Sequence, residues 1–250
     1  IRDSGNAFGL KTEKLYEILD LIAYYFPECE GINMDATVTS ILHKSQEELE
    51  MLARKKVKHL YLGIESGLDD VLKFMKKDHD LAQAYQAIDR LHGAGLIYDA
   101  HIMTGVAGKG RGMENAEALA QFLNRTNPAH VVNFSMFLHK EVPLYQDIRQ
   151  GTFVPADELE TIREEYHLIE RIAPEKAGAN ILYDGFHDFI HVRVRGHLPG
   201  DKEKMLAKLN GIIQEYEGKE PVYSFVQGEC PDLEYCDDGK AVWDMDRKTS

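Results

Sequence analysis

Apolar residues in this chain recur first with the period of a helix and then in short continuous runs, over and over, and that alternation restricts the fold more than any other feature. Leu15, Ile18, Leu19, Ile22 and Ala23 mark one face of a helix over 12–26, with Thr12 as its expected N-cap. A short strand is expected at 31–35, and Ser45 precedes a helix over 46–55 with Leu49 and Leu52 on one side. The run 59–64 reads as a strand ending in Glu65-Ser66-Gly67, followed by helices over 68–75 and 81–92. Gly93-Ala94-Gly95 stops the second helix, and 97–104 is a strand running into Gly105. The cycle repeats with a helix over 113–124, a strand over 129–137 and a helix over 157–172. Such alternation with short loops is the pattern of parallel βαβ units, whose crossovers are right-handed. A barrel or an open doubly wound sheet is the expected product.

Residues 174–178 read as a boundary. The expectation is a partial barrel over 1–175 and a C-terminal α+β extension over 176–250. Within the extension, 186–197 alternates like an edge strand and 202–216 like a final amphipathic helix; the polar tail from 218 reads as an arm. The 250 residues carry a net charge of −13, which argues against a general nucleic-acid surface. No run of about 18 apolar residues is present, so no membrane span is expected. The three cysteines, Cys29, Cys230 and Cys236, are too scattered for a disulfide framework and suggest a reducing, cytoplasmic setting.

In parallel α/β folds, ligands sit at the carboxyl ends of the strands. Those ends carry 3–6, 35–37, 63–67, 101–105 and 133–137, which are small, polar and singly charged residues suited to a small polar molecule. Glu65 stands out, because a carboxylate there accepts hydrogen bonds from an amine or ribose hydroxyls. The alternative is that it caps the next helix or pairs with Lys76 or Lys77, and Asp35 carries the same two readings. His101 and Met103 share one side of their strand, where His101 is either a pocket residue or a hydrogen-bonded core residue. Amides of the glycine-rich 105–112 segment suit an anion, but the spacing fits no phosphate loop, and a flexible loop is the expectation. Cys230 and Cys236 are too far apart for a zinc ribbon. His187 and His191 would share a strand face as surface histidines, and Arg193, Arg195, Lys202 and Lys204 would form a solvated edge.

Taken in order, these strand ends resemble the radical S-adenosylmethionine (radical SAM) superfamily, in the branch holding oxygen-independent coproporphyrinogen oxidase, methylthiotransferases and biotin-synthase-like enzymes. Ser4-Gly5-Asn6-Ala7 before the helix over 12–26 resembles the second-strand turn of the family. The stretch Leu60-Tyr61-Leu62-Gly63-Ile64-Glu65-Ser66-Gly67, then Asp69, Val71-Leu72 and Met75-Lys76-Lys77-Asp78-His79, is the most specific part. Ala87-Ile88 to Gly95, Met103-Thr104-Gly105, Pro143-Leu144-Tyr145, Ile148, Gly151 and Glu158-Leu159 are similar to later family units, so that the resemblance covers about residues 1–172.

The resemblance implies a partial parallel (β/α)6-type TIM-like barrel lacking its first strand. It implies two cofactors, S-adenosylmethionine and a 4Fe-4S cluster, and an enzyme that generates a 5′-deoxyadenosyl radical on an unknown small-molecule substrate. Ser4, Gly5 and Asn6 would receive the methionine end of S-adenosylmethionine and Glu65 and Ser66 would contact it. Lys77 would lie near its carboxylate or ribose, and His101 and Met103 would line its side of the barrel. The family's Cys-x-x-x-Cys-x-x-Cys loop is absent from the 250 residues, and Cys29, Cys230 and Cys236 do not imitate it. The loop and first strand are therefore expected upstream of Ile1, and the chain alone is expected not to cleave S-adenosylmethionine. The alternatives are a cluster-free degenerate barrel that binds a small ligand or a partner, and a barrel lyase using Glu65 or His101. An open barrel edge also suggests a homo-oligomer.

Overall fold

The structure, a computed structural model, describes residues 7–225. A 3-10 turn at Ala7–Gly9 leads into α1 (Thr12–Tyr25), β1 (Ile32–Ala36), α2 (Val38–Leu42), α3 (Gln46–Arg54), β2 (Val57–Glu65), α4 (Asp69–Phe74) and α5 (Leu81–Gly93). Then come β3 (Ile97–Thr104), α6 (Gly112–Thr126), β4 (His130–Ser135), α7 (Leu144–Arg149), α8 (Glu158–Arg171), β5 (Ile181–His187), β6 (Val192–Leu198) and α9 (Lys202–Tyr216).

The six strands form one sheet in chain order, β1-β2-β3-β4-β5-β6. Every pair from β1 to β5 is parallel, and β5–β6 is antiparallel. Chain order rules out the doubly wound sheet, whose strand order reverses at a switch point. Successive right-handed crossovers without reversal put all the helices on one face, which is how a barrel wall is built. Among the described residues the wall is not closed, since β1 and β6 each have a single neighbour.

The side chains obey this two-sided arrangement. On the helix-covered face Leu60, Leu62 and Ile64 of β2, Tyr98, Ala100 and Ile102 of β3, and Tyr183 of β5 are all fully buried. They join Leu49, Leu52, Ala84, Ala87, Leu119 and Leu123 from the helices in one continuous core. The alternate residues (His59 and Tyr61, Asp99 and His101, His130 and Phe134, Asp184 and Phe186) point to the other, inner face. A layer this polar opposite an apolar one is what a half-lined binding cavity requires.

Local chemistry sets the helix ends. Ser45 and Glu48 form a capping box at α3, Ser45 N donating to Glu48 Oε2 at 2.6 Å and Glu48 N to Ser45 Oγ at 3.2 Å. Ser45→Ala removes one of these bonds and should cost about 1 kcal/mol, read as a lowered thermal midpoint. The expected Thr12 cap is not formed: the helix begins at Thr12 itself and Lys11 takes the N-cap position with no side-chain bond. The Thr12 hydroxyl instead accepts from Lys44 Nζ at 3.4 Å, which also reaches Leu10 O at 3.3 Å.

The segment 186–197 is not one strand. β5 and β6 form a hairpin around the 3-10 turn Asp188–Ile190, with His191 in the left-handed region at φ 54°. Asp184 and Gly185 interrupt the apolar pattern of β5 and hide it from periodicity. In the fold Arg193 pairs with Asp184, and Gly185 leaves room for the carboxylate of Glu165. Both strands extend the same sheet, so residue 176 interrupts no strand order.

Candidate functional site

The carboxyl end of β2 is built by a bulge. The register between β2 and β3 slips between Gly63 and Glu65, and Glu65 itself is left-handed at φ 61°. A side-chain-bearing residue held there is strained, and such strain gathers where a group must be aimed. The turn folds the Glu65 carboxylate back over Gly63, where a Cβ would lie 2.7 Å from Oε1 and 3.3 Å from Lys77 Nζ. Lys77 arrives from the other side: Lys76 is left-handed at φ 57°, closing α4, and Lys77 N donates to Leu72 O at 2.9 Å. The result is an ion pair, Lys77 Nζ to Glu65 Oε1 at 3.2 Å, with both side chains about a quarter exposed. Carboxylate and ammonium thus sit together at the open end of a glycine-floored notch.

Ser66 does not share that notch. It is fully buried, and its hydroxyl donates to Asn115 Oδ1 of α6 at 2.6 Å, with Gly67 N on the same oxygen at 3.3 Å. The same hydroxyl accepts from Leu68 N at 3.1 Å, so it is bonded on both sides within the fold. Asn115 passes the connection on, donating through Nδ2 to Glu164 Oε1 of α8 at 2.7 Å, while Glu164 Oε2 accepts from Gly105 N at 2.8 Å. Burial pushes the Glu164 carboxyl up to about 8, against the pull of Asn115 and Gly105. The strand ends of β2 and β3 are therefore tied to α8 through one buried chain of hydrogen bonds.

A second cluster on α8 holds β4 and β5. His187 is fully buried between Glu158 Oε2 at 3.0 Å and Glu165 Oε2 at 3.1 Å. Burial draws its imidazole down, but the Glu158 and Glu165 hydrogen bonds and charges outweigh that and raise it to about 10. Ser135 and Ser224 donate to Glu158, and Asn133 and Tyr183 donate to Glu165. His187 is thus a core residue rather than the surface histidine expected, and His191, turned out by its left-handed backbone, is on no common face with it.

On the inner face His101 packs its ring against Tyr61 at 5.2 Å and Phe134 at 5.8 Å between centroids, and Phe134 stacks on Phe186 at 5.8 Å. Met103 lies one pleat nearer the rim, opposite Phe134. Toward the amino ends of the same strands, His59 Nδ1 meets Asp99 Oδ2 at 2.7 Å.

Comparison with family models matches residues 4–123 to the radical SAM superfamily. Over that stretch the chain is similar to a radical SAM domain. The matched segment runs from the turn before α1 into α6 and so contains the bulged Glu65 turn, Lys77, His101 and Met103. Among solved structures, the chain is similar to archaeal Methanocaldococcus infernus Elp3 with an N-terminal deletion (1–46). The TM-score is 0.61 at 15% identity, covering 85% of this chain and 52% of that one. That likeness concerns the fold, and the chain spans about half the length of the Elp3 chain it matches. No curated protein matches.

Other residues singled out in the sequence take their places around the matched segment. Ser4, Gly5 and Asn6, together with Cys230 and Cys236, lie outside the described residues. Asp35 is exposed on the inner side of edge strand β1, opposite Tyr61. The glycine-rich segment is an ordered turn whose amides are already used: Gly105 N by Glu164, Gly110 N by Glu160, and Lys109 N by Val154 O at 2.8 Å. Neither a flexible loop nor an anion cradle describes it. Arg193 is on Asp184 through two bonds of 2.8 and 2.7 Å rather than solvated alone. Among the described residues no group of three His, Cys, Asp or Glu is placed to hold a metal. The α8 glutamates escaped the sequence reading because a helix with acidic residues looks solvated. The His59–Asp99 pair left one signal, a carboxylate inside an apolar strand.

Proposed function

We propose that this chain supplies the S-adenosylmethionine-binding wall of a radical SAM enzyme acting on a small polar substrate. The observation that carries the reading is the Glu65–Lys77 pair, held by a strained turn at the carboxyl end of β2 within the segment matched to the radical SAM superfamily. S-adenosylmethionine presents an ammonium, a carboxylate and two ribose hydroxyls, and a paired carboxylate and ammonium over a bare glycine complement those groups. Glu65 accepts from the amine or ribose and Lys77 donates to the carboxylate. His101 and Met103 stand beside them on the inner face, and the family resemblance gives the methionine end to Ser4, Gly5 and Asn6.

The 4Fe-4S cluster that the family implies does not fit the residues of this chain. Such a cluster needs thiolates. Cys29 precedes β1, at the amino end of the sheet away from Glu65, with Sγ 3.5 Å from Gly31 O. Cys230 and Cys236 lack the family spacing. In this reading the three thiolates come from outside the 250 residues.

Titration calorimetry with S-adenosylmethionine tests the proposal on the chain itself. The wild type should bind, and Glu65→Ala should weaken binding by about 1.5–3 kcal/mol, or roughly 10- to 150-fold in Kd. Lys77→Met should weaken S-adenosylmethionine more than 5′-deoxyadenosine, which has no carboxylate. No binding by the wild type, or an unchanged Kd in Glu65→Ala, overturns it. Iron and sulfide analysis of the complete gene product after anaerobic reconstitution then separates a radical enzyme from a cluster-free binding protein.

A further inference from the structure

We propose that His59 is an acid–base residue of the inner face, positioned by Asp99, that takes a proton from a hydroxyl or ammonium group of a small polar substrate. The site is independent of the S-adenosylmethionine notch: His59 precedes Glu65 by six residues of β2, about 20 Å of strand.

Asp99 is fully buried in β3, with Oδ2 on His59 Nδ1 at 2.7 Å and Oδ1 without a hydrogen-bond partner among the described residues. A carboxylate taken fully out of water costs several kcal/mol unless a charge or hydrogen bonds answer it. Among the described residues His59 is its one side-chain hydrogen-bond partner, and the backbone and imidazole of His130 also favour its charged form. In the arrangement proposed, the Asp99 carboxylate accepts from Nδ1–H and leaves the lone pair on Nε2, while burial raises the Asp99 carboxyl against the pull of His59 and His130. The His59 side chain is 30% exposed, and Nε2 bonds to no described residue. A buried acid that fixes the tautomer of a half-exposed imidazole is the base-and-orienter arrangement of nucleophilic and acid–base sites.

The neighbours fit a substrate site rather than a structural ion pair. Tyr61 lies beside Asp99 in register, and His130, with a buried Nε2 that is also unpartnered, stands 6.3 Å from the Tyr61 ring. Burial and the Asp99 and Asp35 charges raise the Tyr61 phenol, so that it stays a neutral donor. Burial lowers the His130 imidazole and outweighs the Asp99 and Asp184 charges, with Arg195 and His101 adding to the fall. Asp35 from β1 and Asp184 from β5 are further acids facing this corner. In the step, the O–H or N–H bond of the substrate breaks and its electron pair stays on the heteroatom. The proton forms an N–H bond at His59 Nε2, and the imidazolium is held by Asp99. The reverse step returns it.

The test needs no substrate. Long-range 1H–15N spectra of the folded chain should show His59 protonated at Nδ1 and bare at Nε2. Diethyl pyrocarbonate, mapped by peptide mass spectrometry, should acylate His59 faster than the exposed His191 and His197. Asp99→Asn, whose amide donates to Nδ1, should move the ring proton to Nε2 and slow acylation about tenfold or more. A wild-type ring protonated at Nε2, acylation no faster than at His191, or an unchanged tautomer in folded Asp99→Asn overturns the proposal. Where Asp99→Asn does not fold, the two wild-type readings decide it.

Discussion

His187→Ala should destabilise the fold by about 3–5 kcal/mol, because it leaves two buried glutamates facing each other without the cation between them. Glu158 and Glu165 accept from His187 at 3.0 and 3.1 Å, and neither carboxylate reaches water. The pH dependence separates this from simple loss of volume. The folded imidazole lies at about 10, above the ordinary 6.5, so its contribution is complete below pH 6.5 and is lost as pH rises through 10. Glu158 runs the other way: His187 and the serines hold its carboxyl low against burial, and its contribution, complete above 4.5, falls away in acid. Glu164, raised to about 8, adds a cost that grows from pH 4.5 to 8. Wild-type urea midpoints should therefore fall from pH 7 to pH 10, and His187→Ala should flatten the part of that fall above pH 8. A loss below about 1 kcal/mol, or the same pH slope in the variant, would mean that His187 is not the charged centre of the network.

Gly67→Ala should cost about 3 kcal/mol and abolish the S-adenosylmethionine binding proposed for the adjacent turn. The backbone of Gly67 meets α6 directly. A Cβ would lie 2.5 Å from Ala118 C and 2.8 Å from Ala118 Cβ, inside any tolerable contact, with Leu119 N also in the way. Two of these are main-chain atoms in mid-helix and the third is a Cβ fixed to that backbone; none can rotate aside, so α6 and the turn must separate. Separation breaks the bonds of Ser66 and Gly67 to Asn115 and releases the strained Glu65. Gly211→Ala is the control: nothing lies within 4 Å of its Cβ, and within α9 it should stabilise by about 0.5–1 kcal/mol. Urea midpoints and calorimetry on the two variants read both effects. A folded Gly67→Ala chain that binds like wild type would show that the turn tolerates displacement.

Much of this was legible from local pattern. The helices with regular apolar spacing and the strands with uninterrupted apolar runs, β2 above all, need only their own residues to declare themselves. The Glu65 turn was legible for the same reason: a charge directly after an apolar strand and before Ser-Gly has few places to go. Where the pattern is broken by a residue whose partner is distant, local reading stops. Asp184 hid β5 because its partner Arg193 lies on the next strand, and the bond from Ser66 to Asn115, 49 residues on, has no local signature.

By itself the sequence determined the alternation of strands and helices, the rim that carries Glu65 and Lys77, and the resemblance that the family match to residues 4–123 bears out. All of these rest on contacts or spacings within a few residues. Only the tertiary structure decided which polar groups are spent and which are open. Ser66 is consumed by Asn115 of α6 and Gly105 and His187 by carboxylates of α8, whereas His59 meets Asp99, 40 residues away on the next strand, through one ring nitrogen. A hydrogen bond inside the fold costs little only when both partners arrive together, and which partners meet is settled by strand register and helix packing rather than by neighbours in the chain.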